Sequence, residues 1–216
     1  HVRAYATNVN GTVYGESISF TMGTTTPTVS TSSITNITPT SATIEGNVIA
    51  DGGSAIIERG ICYSNTNQKP TTNDLKIAQG TGIGVFTCEL TDLALGTTYY
   101  VCAYATNGNG TQYGEAKSFT TGTLLPTLES TPADNITAIG ATVGGNITSD
   151  GGAEITARGV CYSTTENPTI EDTKVSSGTG VGEFSCNLTG LTFNTTYYVR
   201  AYATNNKGTA YGNQIT

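Results

Sequence analysis

The stretch Val2-Arg3-Ala4-Tyr5-Ala6-Thr7-Asn8 returns unchanged as Val199-Arg200-Ala201-Tyr202-Ala203-Thr204-Asn205 and, with one substitution, as Val101-Cys102-Ala103-Tyr104-Ala105-Thr106-Asn107. The copies start 99 and 98 residues apart (101 minus 2 and 199 minus 101). Three further pairs of motifs keep the same phase: Asp51-Gly52-Gly53 with Asp150-Gly151-Gly152, Arg59-Gly60-Ile61-Cys62-Tyr63 with Arg158-Gly159-Val160-Cys161-Tyr162, and Gly80-Thr81-Gly82 with Gly178-Thr179-Gly180. Self-similarity at a fixed interval predicts a repeated structural unit.

The phase of these motifs divides the chain into three parts. Residues 1–22 match the C-terminal strands of an incomplete repeat, 23–121 form a full repeat, and 122–216 form a repeat with a truncated last strand. The linkers before Pro27 and Pro126 are short, so we expect the repeats to stack end to end in a linear array with limited bending. A second interpretation is that residues 1–22 complete a sandwich of another subunit by strand addition.

The composition excludes several classes of protein. Charged residues make up 12% of the chain, against about a quarter in typical proteins. The net charge of −7 and the lack of a Lys/Arg cluster argue against nucleic-acid binding. No apolar run reaches the roughly 20 residues that span a bilayer, so we expect no membrane insertion in this stretch.

Each full repeat is predicted to contain seven strands. Segments with alternating apolar and polar residues, separated by Gly, Asn, Asp and Pro, lie near 28–33, 41–49, 55–63, 74–78, 83–91, 98–107 and 112–120. In segment 98–107 we expect one row of side chains to face the core and the alternate row to face outward. The inward row is Tyr99, Val101, Ala103 and Ala105, and the outward row is Tyr100, Cys102, Tyr104 and Thr106.

One segment resembles the fibronectin type III family of immunoglobulin-like β-sandwiches. Leu191-Thr192-Phe193-Asn194-Thr195-Thr196-Tyr197-Tyr198-Val199 is similar to that family's Leu, Pro, Thr, Tyr segment, in which the Tyr forms a corner before strand F. The resemblance implies this role for Tyr197 and Tyr99. The chain departs from the family where Phe193 and Leu95 replace Pro, and it has no Trp. The implied fold is all-β, with tandem seven-stranded fibronectin type III-like sandwiches.

The amino-acid sequence of the repeat also resembles repeats in large surface proteins of the Bacteroidota. The similar segments are Thr-Thr-Tyr-Tyr-Val-Arg-Ala-Tyr-Ala-Thr-Asn, at 195–205, and Arg-Gly-Val-Cys-Tyr-Ser, at 158–163. This resemblance implies a secreted protein located at the cell surface or outside the cell.

The cysteines recur at two phases of the repeat. Cys62 and Cys88 in one unit match Cys161 and Cys186 in the next, which favours one disulfide in each unit. The alternative is that all four are reduced core residues. Cys102 stands where the other copies have Arg3 and Arg200. We expect it on the outer face, either as a free thiol or as a crosslink to a neighbouring chain.

Several surface features are candidate contact sites. Tyr100 and Tyr104, with Tyr198 and Tyr202, are expected on one face and suit stacking against sugars or a neighbouring filament, although packing across strands explains them too. Seven Asn-x-Ser/Thr sequons make the chain a candidate glycoprotein. They begin at Asn10, Asn36, Asn109, Asn135, Asn146, Asn187 and Asn194.

Acidic residues offer a weaker metal hypothesis. Asp51 and Asp150 before paired glycines suit either Ca²⁺ binding or turn formation, and turn formation is the simpler interpretation. Glu171 and Asp172 form a second acidic pair. We expect no metal and no cofactor.

Catalytic chemistry finds little support in the sequence. His1 is the only histidine, and no Ser or Cys has a recurring base beside it. We therefore expect no enzymatic activity.

The leading hypothesis is a non-enzymatic structural and adhesive repeat region of a secreted cell-surface protein, or adhesin, or of an extracellular filament. Its expected partners are further copies of the same repeat, with self-assembly into a filament, and glycans. The alternative is a spacer or carbohydrate-binding module attached to an extracellular polysaccharide-degrading enzyme.

Overall fold

The computed structural model describes residues 1–216 and contains seventeen strands and no helix. The strands are β1 (Tyr5–Asn8), β2 (Gly11–Tyr14), β3 (Thr28–Thr35), β4 (Ala42–Ala50), β5 (Glu58–Ser64), β6 (Leu75–Ala78), β7 (Gly84–Leu90), β8 (Thr98–Asn107), β9 (Gly110–Tyr113), β10 (Lys117–Thr120), β11 (Thr127–Asp134), β12 (Gly140–Ser149), β13 (Ala157–Ser163), β14 (Thr173–Ser176), β15 (Gly182–Thr189), β16 (Tyr198–Asn205) and β17 (Gly208–Tyr211). All pairings between them are antiparallel.

The middle repeat is a sandwich of two sheets. One sheet has the order β3-β4-β7, and the other has the order β10-β8-β5-β6, with β9 also paired to β8. Ile44 of β4, Ile61 of β5 and Val101 of β8 are completely buried in one core cluster, which therefore joins the two sheets.

The last repeat has the same architecture. Its sheets have the orders β11-β12-β15 and β14-β13-β16-β17. The predicted fold class, an all-β chain of tandem sandwiches, is confirmed. The fourth strand of each full repeat, β6 or β14, pairs with the third strand, β5 or β13. It therefore belongs to the sheet that contains β8 in the middle repeat and β16 in the last repeat.

The strand predicted at 112–120 is divided in two, so the middle repeat has eight strands instead of seven. β9 ends before Gly114, and β10 begins after Ala116. A β-carbon on Gly114 would lie 2.5 Å from the backbone nitrogen of Thr31 in β3. The close approach of β3 at this point requires glycine and interrupts the strand.

A hydroxyl group of β3 links the two sheets at that point. Thr31 Oγ1 accepts a hydrogen bond of 3.0 Å from the backbone N–H of Ala103, and both residues are buried. Ser130 does the same in the last repeat, accepting from Ala201 at 2.9 Å. The recurring hydroxyl satisfies a backbone donor that would otherwise be buried without a partner.

The arginine of the recurring Arg-Gly motif is hydrogen-bonded to a glycine-rich loop. Arg59 donates to the carbonyl oxygens of Gln79, Gly82 and Ile83, and its guanidinium lies 4.9 Å from the centre of the Phe86 ring. Arg158 stands in the same way over Phe184, at 5.2 Å, and donates to the corresponding loop of the last repeat. These contacts explain why the Arg-Gly and Gly-Thr-Gly motifs recur together.

Residues 1–22 form a hairpin of β1 and β2, extended by an isolated bridge between Val2 and Ile18. Side chains that correspond to core positions of the full repeats are exposed here. Tyr5 is 72% exposed, whereas Tyr104 at the same phase is 0% exposed. This hairpin therefore has the strand pairing of a repeat without its core.

Candidate functional site

One asparagine side chain ties each linker to its repeat. Asn107 Nδ2 donates to the backbone carbonyl oxygens of Thr25, in the linker, and Asp51, in the turn after β4, both at 2.7 Å. Asn107 Oδ1 accepts the backbone N–H of Asn109 at 2.8 Å. The residue is buried, and these bonds use both amide hydrogens and the amide oxygen.

The same arrangement recurs in the last repeat. Asn205 Nδ2 donates to the carbonyl oxygens of Leu124 and Asp150, again at 2.7 Å, and Asn205 Oδ1 accepts from the N–H of Lys207. We call this buried asparagine with its two carbonyl partners the linker clamp. The two clamps agree atom for atom although the linker residues Thr25 and Leu124 differ.

The Asp-Gly-Gly turn completes the clamp. The backbone N–H of Thr25 donates to Gly52 O, and that of Leu124 donates to Gly151 O, both at 2.8 Å. Gly52 and Gly151 have φ angles of 70° and 72°, and a β-carbon on either would overlap the carbonyl of the linker residue. Glycine is therefore required at both positions for its backbone conformation and for its lack of a side chain.

The aspartates of this motif act as turn residues. Asp51 Oδ1 accepts the N–H of Gly53 at 2.9 Å, and Asp150 Oδ1 accepts the N–H of Gly152 at 2.8 Å. Asp172 Oδ2 likewise accepts the N–H of Thr169 at 2.8 Å. No group of three or more His, Cys, Asp or Glu side chains is placed to hold a metal ion. These bonds support the turn interpretation of the aspartates over the Ca²⁺ alternative.

The two full repeats touch through backbone atoms. Gly152, in the turn of the last repeat, packs on Leu95 and Gly96, in the loop before β8. A β-carbon on Gly152 would overlap Leu95, and one on Gly96 would overlap the carbonyl of Gly152. Gly96 N also donates to Gly122 O at 3.0 Å. The joint leaves no room for added side-chain atoms, which restricts bending between the repeats.

The last repeat presents the corresponding corner without a neighbour. Phe193 stands at the phase of Leu95 and is 74% exposed. Asn194 has a φ of 51°, close to the 56° of Gly96, so the backbone follows the same course. The backbone corner that the middle repeat uses to contact the next repeat is therefore repeated and exposed at 193–194, with the Asn194 side chain in place of Gly96.

The predicted tyrosine corners are confirmed. Tyr99 accepts the backbone N–H of Ala94 at its hydroxyl oxygen, at 3.1 Å, and Tyr197 accepts that of Thr192 at 3.2 Å. This bond lowers the pKa of Tyr197, because the accepting oxygen is stabilised in its ionised form. The corners fix the loop of Leu95 and Phe193 directly before β8 and β16.

The structure contradicts the predicted disulfides Cys62–Cys88 and Cys161–Cys186, since all five cysteines are free thiols. Cys88 and Cys186 lie in the core clusters between the sheets. Their predicted partners follow the inward residues Ile61 and Val160, so they point to the outer face of the sheet. Burial raises the pKa of Cys88 and of Cys161 to about 11.

The outward row of β8 is covered, which sequence reasoning missed. Cys102 is 2% exposed and Tyr104 is 0% exposed, because the segment between β5 and β6 folds over them. Pro70 in that segment is also fully buried and accepts a hydrogen bond from Cys102. The predicted crosslink from Cys102 to a neighbouring chain does not fit this burial.

The four tyrosines predicted to form a contact surface are divided by this cover. Tyr104 and Tyr202 are buried, so the prediction is wrong for them, whereas Tyr100 and Tyr198 are half-buried. Tyr104 donates its hydroxyl hydrogen to Glu58 at 2.6 Å. The predicted inward row is confirmed, because Tyr99, Val101, Ala103 and Ala105 all lie in the core cluster.

Most of the sequons lie at the surface. Asn146 is half-buried within β12, and the other six are exposed: Asn10, Asn36, Asn109, Asn135, Asn187 and Asn194. Asn109 is engaged with the linker, since its Nδ2 donates to Thr24 Oγ1 at 3.0 Å. Glycosylation of these residues stays a prediction.

The asparagine of the linker clamp is the last residue of the repeated heptapeptide, and its role could not be recognised from that repeat alone. Asn107 and Asn205 recur in phase with the Asp-Gly-Gly turns that they contact. That joint recurrence is the signal that could have linked the asparagines to the turns.

The chain has no helix with the length and hydropathy needed to cross a membrane.

Comparisons with known proteins add little to this geometry. No protein-family model matches the chain, and no curated protein matches it. Among solved structures, it is similar to a segment of two fibronectin type III domains from chicken tenascin. The identity is 16%, the TM-score is 0.41, and the alignment covers 85% of this chain and 93% of that chain. The fold assignment rests on the chain's own sheets and hydrogen bonds, and the association with Bacteroidota stays a prediction.

Proposed function

We propose that this chain is a non-enzymatic structural and adhesive repeat region of a secreted cell-surface protein or extracellular fibre. Its repeats act as stacked units that hold a constant spacing, and further copies of the repeat are its partners. The observation that supports this proposal is the linker clamp, which is built from the same atoms in both full repeats.

The clamp suits a load-bearing spacer because it removes freedom from the linker. A short peptide with free backbone groups would act as a hinge between domains. Here the buried amide of Asn205 and the carbonyl of Gly151 hold Leu124 at both of its backbone polar groups. Each such bond contributes about 0.5–1.5 kcal/mol, and a buried partner left alone costs more. Bending at Leu124 therefore requires several bonds to break together.

The exposed corner at Phe193 and Asn194 supports continuation of the array. It repeats the backbone course of Leu95 and Gly96, which receive the Gly152 turn. Asn194 carries side-chain atoms where Gly96 has none, so a following repeat would contact this corner at a larger separation than Gly152 contacts Gly96. The array extends by adding units of one kind.

The adhesive part of the proposal rests on multiplicity. Tyr100 and Tyr198 are half-buried at equivalent positions of neighbouring repeats. A weak contact at each repeat, to a glycan or to a neighbouring filament, gains strength when many repeats engage at once.

The joint is tested by a pair of glycine variants in the full chain. Gly152→Ala places a methyl group against Leu95 and is expected to force the two full repeats apart. Small-angle X-ray scattering of the full chain should then show a broader distribution of interatomic distances than in the wild type, because the distance between the two full repeats changes.

Gly53→Ala is the matched control, because Gly53 has a φ of 77° where Gly152 has 83°, so both carry the same backbone strain. A β-carbon on Gly53 meets only Thr24 Cγ2, at 3.5 Å. Equal scattering from both variants would contradict a rigid joint. Electron microscopy of the native full-length protein completes the test, since compact isolated particles would contradict a rod or fibre.

A further inference from the structure

The middle repeat holds two cysteines directly opposite each other. Cys62 of β5 and Cys102 of β8 are register partners in adjacent antiparallel strands. Residues in such pairs have Cα atoms about 4.5–5.5 Å apart, which lies within the roughly 4.4–6.8 Å found in disulfides. Both side chains point to the outer face of the sheet, where they form one buried cluster with Tyr104.

A hydrogen bond fixes one of the two thiols. Cys102 Sγ donates to Pro70 O at 2.8 Å. The Pro70 bond holds Cys102 beneath the covering segment. The two side chains therefore already lie on one face of adjacent paired strands.

A cavity lies beside one of the two cysteines. Cys102 lines a cavity of about 690 Å³, together with Lys69, Tyr113 and Lys117. Cys62 is 0% exposed and does not line that cavity. A small reagent entering the cavity meets Cys102 first.

No other pair in the chain has this arrangement. Cys161 of the last repeat faces Arg200 across the strands, and residues 1–22 carry Arg3 at the phase of Cys102. Cys88 and Cys186 belong to the other sheet of each sandwich and lie in the cores. The middle repeat thus differs from its neighbours at one chemically defined site.

We infer that Cys62 and Cys102 form a dithiol modification site that a small-molecule disulfide, such as oxidised glutathione, converts to a disulfide between adjacent strands. In the first step, the Cys102 thiol loses its proton to water and its sulfur attacks one sulfur of the reagent. The reagent's S–S bond breaks, a mixed disulfide forms at Cys102, and one glutathione leaves as a thiolate.

In the second step, the deprotonated sulfur of Cys62 attacks the Cys102 sulfur of the mixed disulfide. The second glutathione leaves with the electron pair and takes up a proton. Two protein thiols are oxidised and one reagent disulfide is reduced to two thiols, so atoms and electrons balance. The hydrogen bond from Cys62 lowers the pKa of Cys102 and raises that of Cys62, which agrees with Cys102 as the first nucleophile.

The test uses the full chain, folded and fully reduced, incubated with oxidised glutathione. Intact-mass measurement is expected to show a loss of about 2 Da, the mass of two hydrogens in one disulfide. Alkylation followed by peptide mapping should find Cys62 joined to Cys102, with Cys88, Cys161 and Cys186 still alkylated.

Two variants check the order of the steps. Cys102→Arg introduces the residue that the other two copies carry at this phase, and it should show no loss of mass. Cys62→Ser removes the second thiol, so its reaction should stop with one glutathione attached to Cys102. Circular dichroism before and after oxidation verifies that each protein stays folded.

Three results would overturn the inference. The first is a wild type that stays fully reduced although its thiols react with the reagent in urea. The second is a bridge that joins a different pair, and the third is a product that is a crosslinked dimer. Each can be observed in the wild-type protein, whether or not the variants fold.

Discussion

The middle repeat and the last repeat share the order of seven strands, but only the middle repeat has an eighth strand, β10, paired to β8. In the middle repeat, fourteen buried residues form a single cluster, and Phe119 of β10 stacks on Tyr99 with ring centres 5.9 Å apart. In the last repeat, the buried residues fall into clusters of five and three. A cavity of about 450 Å³ lies beside Tyr197, the counterpart of Tyr99.

This difference shows what the last strand contributes to a repeat of this kind. Leu188, Val199 and Tyr197 line the cavity, whereas their counterparts Leu90, Val101 and Tyr99 are buried in the closed core with Phe119. The two repeats also differ in pairing at this edge, since β10 pairs with β8 in the middle repeat and the last repeat has only an isolated bridge between Val199 and Ile215 there. In the middle repeat, β10 therefore closes the core with both its buried Phe119 side chain and its hydrogen bonds to β8.

The largest effect is expected from Phe119→Ala, which should make the middle repeat resemble the last one. Phe119 is 6% exposed, and loss of a buried Phe costs about 3–5 kcal/mol of unfolding free energy. Hydrogen exchange with mass spectrometry, which resolves each repeat, measures the change. Protection should fall in β8 and β10 and stay unchanged in β16.

Phe193→Ala is the control for this substitution, because Phe193 is 74% exposed. It should change the free energy of unfolding by no more than about 0.5 kcal/mol. Equal effects of the two substitutions would show that Phe119 does not close the core.

A smaller effect is expected from Thr31→Val, which keeps the side-chain shape and removes the acceptor for the N–H of Ala103. A buried donor left without a partner costs about 1–3 kcal/mol. Ser130→Ala is the matched change, since Ser130 Oγ accepts from Ala201. Exchange rates of the amides of Ala103 and Ala201, followed by NMR, should rise in their respective variants. Unchanged rates would show that these hydroxyls do not stabilise the contact between the sheets.

The smallest expected effect is a loss of stability at low pH that is larger in the middle repeat than in the last repeat. Hydrogen bonds from Lys76 and Tyr104 lower the pKa of Glu58 below its ordinary value of 4.5. A carboxylate with a lowered pKa stabilises the fold above its unfolded pKa, and this stabilisation is lost as the pH falls through the folded value. The last repeat has Ala157 at this position, so acid should weaken the middle repeat more through this group.

The acid effect is expected to be small because the Lys76 and Glu58 side chains are 40% and 39% exposed, although their charged atoms lie 2.8 Å apart. Hydrogen exchange of both repeats between pH 6 and pH 3, compared with Glu58→Gln, measures it. If Glu58→Gln leaves the pH dependence of the middle repeat unchanged, the carboxylate does not contribute in this way.

Local patterns were sufficient for much of the fold. The alternation in 98–107 correctly predicted which side chains of β8 enter the core, because adjacent strand residues must point to opposite faces. Tyr99 and Tyr197 were identified from their place before that strand, and both form the predicted bond. The period of 98–99 residues predicted the tandem sandwiches.

The failures share one physical cause. The row containing Cys102 and Tyr104 was correctly placed on the outer face of the sheet and wrongly taken to be exposed, because a segment around Pro70 covers it. The disulfide prediction failed because Cys88 of the β3-β4-β7 sheet faces the core, whereas Cys62 of the other sheet faces away from it. The division of the last strand follows from the approach of β3 to Gly114.

Order along the chain thus determines the repeat, its strands and the face to which each side chain points, since these depend on neighbours within a few residues. Three contacts form only after folding. They are the cover of the outer face by the segment around Pro70, the pairing of Cys62 with Cys102, and the hydrogen bond from Asn107 to Thr25. Each joins atoms that lie 30 or more positions apart in the chain. Their geometry is set by how strands and loops pack, which no local alternation of side chains encodes.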